Sequence, residues 1–242
     1  MATTTAAFPR SRSALLYPNA HWYFLAAIVT TWVGFSRSYF LRIGHATIFQ
    51  HVHGATAGLW MVLLVVQPIL YQRGKLALHR RLGRLGVYVL VPLFVTGGAL
   101  MLHNMIKHQS AGHPEAVYIL GYVDLWALFM FPLFVGLAIY YGRNTGLHAR
   151  YIACTVLELM PPALTRALTF MPWVDTIHKS VDISYGLMIV ILLMLLRDDM
   201  RKGRLRAPYL VALTLYVPMV LTMNSAGHWQ WWHRLADWYA RF

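Results

Sequence analysis

Eight ionisable side chains lie within long apolar stretches of the sequence, where a charge or an unpaired polar group is costly. They are His51, His53, His103, His178, Asp124, Glu158, Asp182 and Arg166. Imidazole nitrogens and carboxylate oxygens are the atoms through which proteins bind Zn, Fe, Mn or Cu. Two imidazoles can also hold a b-type haem as axial ligands. The residue types therefore predict a metal or haem site, and polar contacts between helices are the alternative.

Spacing selects among these residues. His178 and Asp182 are four positions apart and therefore share one face of a helix. His51 and His53 are only two apart, so a regular helix cannot turn both towards one point, and the deeper His53 is the better candidate. We predict metal ligation by His53, His103, His178 and Asp182, cofactor contacts from His53, His103 and Arg166, and catalytic proton transfer by Glu158 and Asp124.

The elements that must position these side chains are membrane-spanning helices. Hydrophobic residues make up 58% of the 242-residue chain and charged residues 12%, against roughly 25% charged in soluble domains. A helix needs about 20 mainly apolar residues to cross a bilayer. The sequence predicts an all-α membrane protein with about seven such helices, at 22–41, 47–71, 86–106, 117–141, 151–171, 174–196 and 208–227.

Basic residues predict the orientation of these helices. They concentrate in three short loops, at 72–84, 142–150 and 197–206. The positive-inside rule assigns these loops to the cytoplasmic side of the cell inner membrane. Their attraction to anionic lipids accounts for the net charge of +13 without a nucleic-acid partner. We predict a cytoplasmic tail at 1–21, a transmembrane domain at 22–227 and an aromatic interfacial tail at 228–242.

Two of the basic loops contain related motifs. The sequence LHRRLGR occupies 78–84 and LHARYIA occupies 147–153, and each follows a tyrosine and a basic turn. The motifs predict a weak repeat of two helix hairpins related by an axis along the membrane normal. Since His79 and His148 lie among arginines, they are interpreted as contacts for a lipid headgroup, with a quinone or another lipophilic molecule as the alternative ligand.

Depth along the helices predicts where the intramembrane residues meet. At a rise of about 1.5 Å per residue, most of them lie roughly 5–10 Å below the outer boundary. We therefore expect His53, His103, His178 and Asp182 to converge on one outer cavity, with Asp124 and Glu158 lining it. Arg166 is expected to pair with Asp124 or Asp182, since a lone guanidinium in a span is costly.

The chain resembles a family of uncharacterised bacterial multi-pass membrane proteins. The resemblance covers about residues 50–200 and is carried by HVHG at 51–54, Trp60, Gln67, LHRRLG at 78–83, Asp124, LHARY at 147–151, PALTR at 162–166 and Asp182. It implies a topology and a set of candidate residues, because the family has no known activity. More loosely, the histidine-bearing hairpins resemble cytochrome b561-like haem proteins.

Three functional interpretations stay open from the sequence. The first is a membrane metalloprotein with a histidine and carboxylate site near the outer face, acting as an oxidoreductase or another metal-dependent enzyme. The second is a b-type haem or quinone electron-transfer subunit. The third is a transporter or a structural subunit of a larger membrane complex.

Overall fold

The computed structural model of the protein describes residues 17–109, 114–203 and 206–242, and its regular structure there is entirely helical. Residues 1–16 of the predicted tail at 1–21 and residues 204–205 of the third basic loop lie outside this part of the chain. The helices are α1 (Ala20–Phe35), α2 (Ile48–Gln72), α3 (Leu76–Leu85), α4 (Val91–Gln109), α5 (Pro114–Tyr140), α6 (Thr145–Leu168), α7 (Ile177–Arg201), α8 (Ala207–Ala226) and α9 (Gln230–Tyr239).

Five helical segments are long and apolar enough to cross a bilayer. They are Ile48–Gln72, Leu76–His108, Glu115–Tyr140, Ile177–Arg201 and Ala207–Ala226. The second of these is continuous because a π-helical turn, Gly86–Leu90, joins α3 to α4. Helix α1 is shorter, and α6 carries Arg150, Glu158 and Arg166. The protein is therefore an all-helical membrane protein with five candidate spans among the described residues.

Local sequence signals set the helix ends. Thr47 and Gln50 form a reciprocal capping box at the start of α2, and the side chain of Asn144 accepts hydrogen bonds from the first turn of α6. Gly74 and Gly203 follow the last turns of α2 and α7 with φ of 70° and 67°, a conformation that costs glycine little. These signals end the helices at the turns that the basic loops predicted.

The first predicted span is shorter than expected. It was predicted over 22–41, but α1 ends at Phe35, and the chain turns into a short 3₁₀ helix, Phe40–His45. The hydroxyl of Ser36 donates to the carbonyl of Val33 at 2.6 Å, so a polar side chain competes for the last helical turn. Arg37, beyond the helix end, lies over the ring of Phe170 at 4.3 Å.

All three basic loops lie at one end of the bundle. The ring of His79, from the first loop, is 6.4 Å from that of His148 in the second. Arg150, also from the second loop, forms an ion pair with Asp199 at the start of the third. The side chain of Gln72 donates to the carbonyl of Pro18 at 3.0 Å, which puts the residues before α1 at the same end.

Helix α6 lies at the centre of the bundle, against α1, α5, α7 and α8. Its contact with α1 is backbone to backbone, because a Cβ atom at Gly34 would collide with the carbonyl oxygen of Ala163. Buried apolar residues form two clusters, and helices α5 and α6 contribute to both. The neighbouring helices thereby bury Arg150 and Glu158 of α6, whereas Arg166 near its end stays exposed.

The predicted interfacial tail contains a helix that packs on the bundle. Helix α9 buries Trp232, whose Nε1–H donates to the carbonyl of Tyr118 at 2.9 Å. The hydroxyl of Tyr239 donates to the carbonyl of Ala99 at 2.8 Å. Trp231 and Trp238 remain exposed, as expected for an aromatic residue at a membrane interface.

Candidate functional site

A chain of polar side chains lies at the end of the bundle opposite the basic loops. Nδ1 of His178 is 3.3 Å from Oδ1 of Asn224, and the Asn224 amide donates to Oδ1 of Asp182 at 2.8 Å. Nε2 of His178 is 3.3 Å from a carboxylate oxygen of Glu115, which lies 3.4 Å from Nε2 of His228. The predicted pair His178 and Asp182 is therefore brought together, with Asn224 between its members.

His53 and His103 have other partners. The ring of His53 stacks on Phe94 at 4.5 Å, and its Nδ1 is 3.1 Å from the Phe94 carbonyl oxygen. Gly98 allows this approach of α2 to α4, since a Cβ atom there would lie 3.2 Å from Cε1 of His53. The ring of His103 meets Tyr239 edge-on at 5.5 Å. These two histidines are held by helix packing against α4 and α9.

The predicted metal ligands do not form one cluster. Among the described residues, no group of three or more His, Cys, Asp or Glu side chains is arranged to hold a metal ion. Helix depth placed His53, His103, His178 and Asp182 at one level. His178 and Asp182 share Asn224 as a neighbour, but His53 faces Phe94 and His103 faces Tyr239. Metal or haem ligation by these residues stays a prediction.

Asp124 and Arg166 line a small cavity, together with Tyr185. Its volume is about 60 Å³, enough for a few water molecules. Asp182 accepts a hydrogen bond from Asn224, and Asp124 is the carboxylate that shares the cavity with Arg166. The two groups make no direct ion pair in the described structure: the Arg166 guanidinium donates to the Pro162 carbonyl at 2.8 Å and lies over Phe35. Water in the cavity is suited to bridge them.

Glu158 is buried near the middle of α6, with 5% of its surface exposed, and its Oε1 has no hydrogen-bond partner in the described structure. The hydroxyl of Tyr216 lies beside this carboxyl group and donates to the carbonyl of Leu157 at 2.7 Å. That carbonyl would otherwise bond to the N–H of residue 161, but residue 161 is a proline. Pro161 thus leaves the Leu157 carbonyl free to accept the hydrogen bond from Tyr216 next to Glu158.

The most deeply buried ion pair was missed from the sequence. Arg150, interpreted as a loop residue, lies in α6 with 2% exposure and donates through Nε to Asp199 at 2.7 Å; Asp199 is fully buried. Tyr17 and Tyr209 flank the guanidinium, and their hydroxyls are 2.5 Å apart. Burial raises the pKa of Tyr17, although its hydrogen bond to Tyr209 and the charge of Arg150 oppose the rise.

A signal for this pair was present in the sequence. Only eight acidic residues occur in the chain, and two of them, Asp198 and Asp199, are adjacent within an otherwise basic region. Asp198 is bound by Lys202 at the surface, at 2.6 Å. Two acids within an otherwise basic loop therefore indicated specific cationic partners.

Together these groups form a polar track along α6. We use this name for Arg150, Cys154, Glu158, Thr165 and Arg166 with the facing side chains Asp124, Tyr185, Asp199, Tyr209 and Tyr216. Successive members lie within electrostatic range of one another: Tyr209 and Cys154, Cys154 and Glu158, then Glu158 and Tyr185. The helical rise from Arg150 to Arg166 is about 24 Å at about 1.5 Å per residue, so the track covers most of a bilayer's apolar thickness.

No family model matches the chain, and comparisons with curated proteins and with solved structures also find no significant match. The resemblance to uncharacterised bacterial membrane proteins therefore stays a prediction. The functional interpretation depends on the geometry of the polar track and of the histidines at the two ends of the bundle.

Proposed function

We propose that the protein relays protons across the membrane along the polar track of α6. The observation that carries this proposal is the buried carboxyl group of Glu158, which lies between the Asp124–Arg166 cavity and the Arg150–Asp199 pair. Ionisable residues within spans are costly and mark ion pathways and proton relays. A purely structural role would not call for an unpaired carboxyl oxygen at this depth.

The residue types suit proton transfer. A carboxyl group buried without a cationic partner costs less in its neutral form than as an anion, so Glu158 can hold a proton between two exchange steps. The hydroxyls of Tyr216 and Tyr185 both donate and accept hydrogen bonds. Asp124 and cavity water would exchange the proton at one end, while the Arg150–Asp199 pair and Tyr17 would control exchange at the other.

The proposed topology has seven crossings of the cell inner membrane, with the N-terminus on the cytoplasmic side. In this topology α1 and α6 also cross, and α2–α4 and α5–α6 are the two hairpins of a parallel repeat. The position of all three basic loops at one end supports it, because that end would face anionic lipids. Labelling of single cysteines placed at Asn144 and Asp175 from opposite sides of the membrane tests the orientation.

The test of proton relay is flux into proteoliposomes. Purified protein is reconstituted with a pH-sensitive dye inside the vesicles, and a potassium diffusion potential drives protons inward. We expect wild-type vesicles to acidify faster than protein-free vesicles. Glu158→Gln should lower the protein-dependent rate by about 100-fold, the scale of a lost proton-transfer group.

Asp198→Asn is the matched control, since it removes a carboxylate that lies at the surface beside Lys202. Its rate should equal that of the wild type. Equal flux through wild-type and Glu158→Gln vesicles, with both proteins folded by size-exclusion chromatography, would exclude the relay.

The other interpretations have less support. A metal-dependent oxidoreductase site at the outer face is supported only by the chain of His178, Asn224, Asp182 and Glu115. Quinone, other lipophilic substrates and further membrane subunits stay predictions. Redox or transport chemistry of these kinds is compatible with the proton relay, because proton transfer often accompanies it.

A further inference from the structure

The histidines of the two related loop motifs meet at the basic end of the bundle. His79 is the second residue of LHRRLGR and His148 the second residue of LHARYIA. Their rings lie 6.4 Å apart, centre to centre, at an angle of 69°. Equivalent residues of two related hairpins therefore converge on one point between the hairpins. Sites in proteins built from repeats commonly lie at such interfaces.

The distance between the rings fits two imidazoles on opposite sides of one metal. Metal–nitrogen bonds to histidine are about 2.0–2.1 Å long, so two trans imidazoles have ring centres roughly 6–6.5 Å apart. An interplanar angle of 69° is compatible with this, since each ring can rotate about its own metal–nitrogen bond. At 6.4 Å between their centres, the two rings are neither stacked on each other nor hydrogen-bonded directly to each other.

Hydrogen bonding leaves the ligating nitrogens available. Nδ1 of His148 is 2.8 Å from the carbonyl oxygen of Ala138, and a carbonyl can only accept. Nδ1 therefore carries the hydrogen, and the lone pair lies on Nε2, as in histidines that bind metals. No partner for Nε2 of either histidine occurs among the residues that the structure describes.

Two buried polar atoms beside His79 lack partners. They are Nδ1 of His79 itself and Oε1 of Gln67, in the part of the chain described here. Gln67 is anchored to His79 by a hydrogen bond from its amide to the His79 carbonyl at 3.2 Å. An Nδ1–H of His79 directed at this amide oxygen, or at a water between them, would satisfy both atoms and leave Nε2 to bind a metal.

The number of ligands and the surrounding charge select the kind of metal centre. Bare metal ions in proteins take three or four protein ligands, and only two imidazoles meet here. The nearby Arg80 would also repel a bare divalent cation. We propose that His79 and His148 are the axial ligands of a haem-type tetrapyrrole, which supplies four equatorial nitrogens and carries acidic groups that arginines can bind.

The test is optical spectroscopy of full-length protein expressed with a haem precursor and purified in detergent. We expect a Soret band and the sharp visible bands of six-coordinate, bis-imidazole haem after reduction, at about one haem per chain. His79→Gly and His148→Gly should each lose these bands. His53→Gly and His178→Gly are the matched controls and should keep them, although the sequence alone favoured those histidines as ligands.

Added imidazole separates a ligand from a structural residue. It should restore the bis-imidazole spectrum of His79→Gly, because a free imidazole can occupy the vacated position. Absence of haem from the wild type, a spectrum unchanged by both loop variants, or a bare metal without a Soret band would overturn the proposal. The proton-flux assay on His79→Gly is independent, so this site and the α6 relay can fail separately.

Discussion

At the scale of single residues, two adjacent aspartates at the end of α7 have opposite environments. Asp198 is half-exposed and bound to Lys202, whereas Asp199 is fully buried against Arg150. Exposed ion pairs contribute little to stability, because water screens them and holding the side chains costs entropy. Removing one partner of a buried pair leaves an uncompensated charge away from water.

Asp199→Asn should therefore destabilise the protein far more than Asp198→Asn. We expect a loss of about 3–5 kcal/mol for Asp199→Asn and at most about 1 kcal/mol for Asp198→Asn. Thermal unfolding of both variants in the same detergent measures the difference. Equal melting temperatures of the two variants would mean that the Arg150–Asp199 ion pair contributes no more to stability than the Asp198–Lys202 pair.

At the scale of elements, the sequence predicted where helices occur along the chain better than it predicted which helices pack against each other. Apolar length alone indicated the five candidate spans, and the basic loops indicated where they turn. The sequence also gives the depth of each polar residue, because depth follows from counting along a helix. It does not give the direction in which the residue points, which depends on packing; hence His53 turned to Phe94 and His103 to Tyr239 rather than to a shared cavity.

The contact between α1 and α6 depends on one glycine. Gly34→Ala places a methyl group against the Ala163 carbonyl, where backbone cannot move without separating the helices. We expect destabilisation of about 1–3 kcal/mol, the usual cost of overpacking. Gly58→Ala is the control, because nothing lies near its Cβ position and alanine favours helix by up to about 1 kcal/mol. A Gly34→Ala protein as stable as Gly58→Ala would disprove the close contact.

At the scale of the whole molecule, polar groups follow the central helix while apolar side chains cover the outside. Ten of the buried residues of the protein belong to α6, including Arg150, Glu158 and Thr165. The sequence identified Glu158, Asp124 and Arg166 one by one as costly residues. Their connection through Tyr185 and Tyr216 could not be predicted, since tyrosines are common in apolar helices and their partners lie on other helices.

The proton-holding carboxyl group of Glu158 is the point on which the proposed relay depends. Dicyclohexylcarbodiimide partitions into lipid and adds covalently to carboxyl groups that carry a proton, so peptide mass spectrometry after treatment of membranes reports such a group directly. We predict an adduct at Glu158 that is absent from Glu158→Gln, while Asp198 at the surface stays unmodified. An unmodified Glu158, at a reagent excess that modifies carboxyl groups of the same protein after unfolding, would contradict the relay.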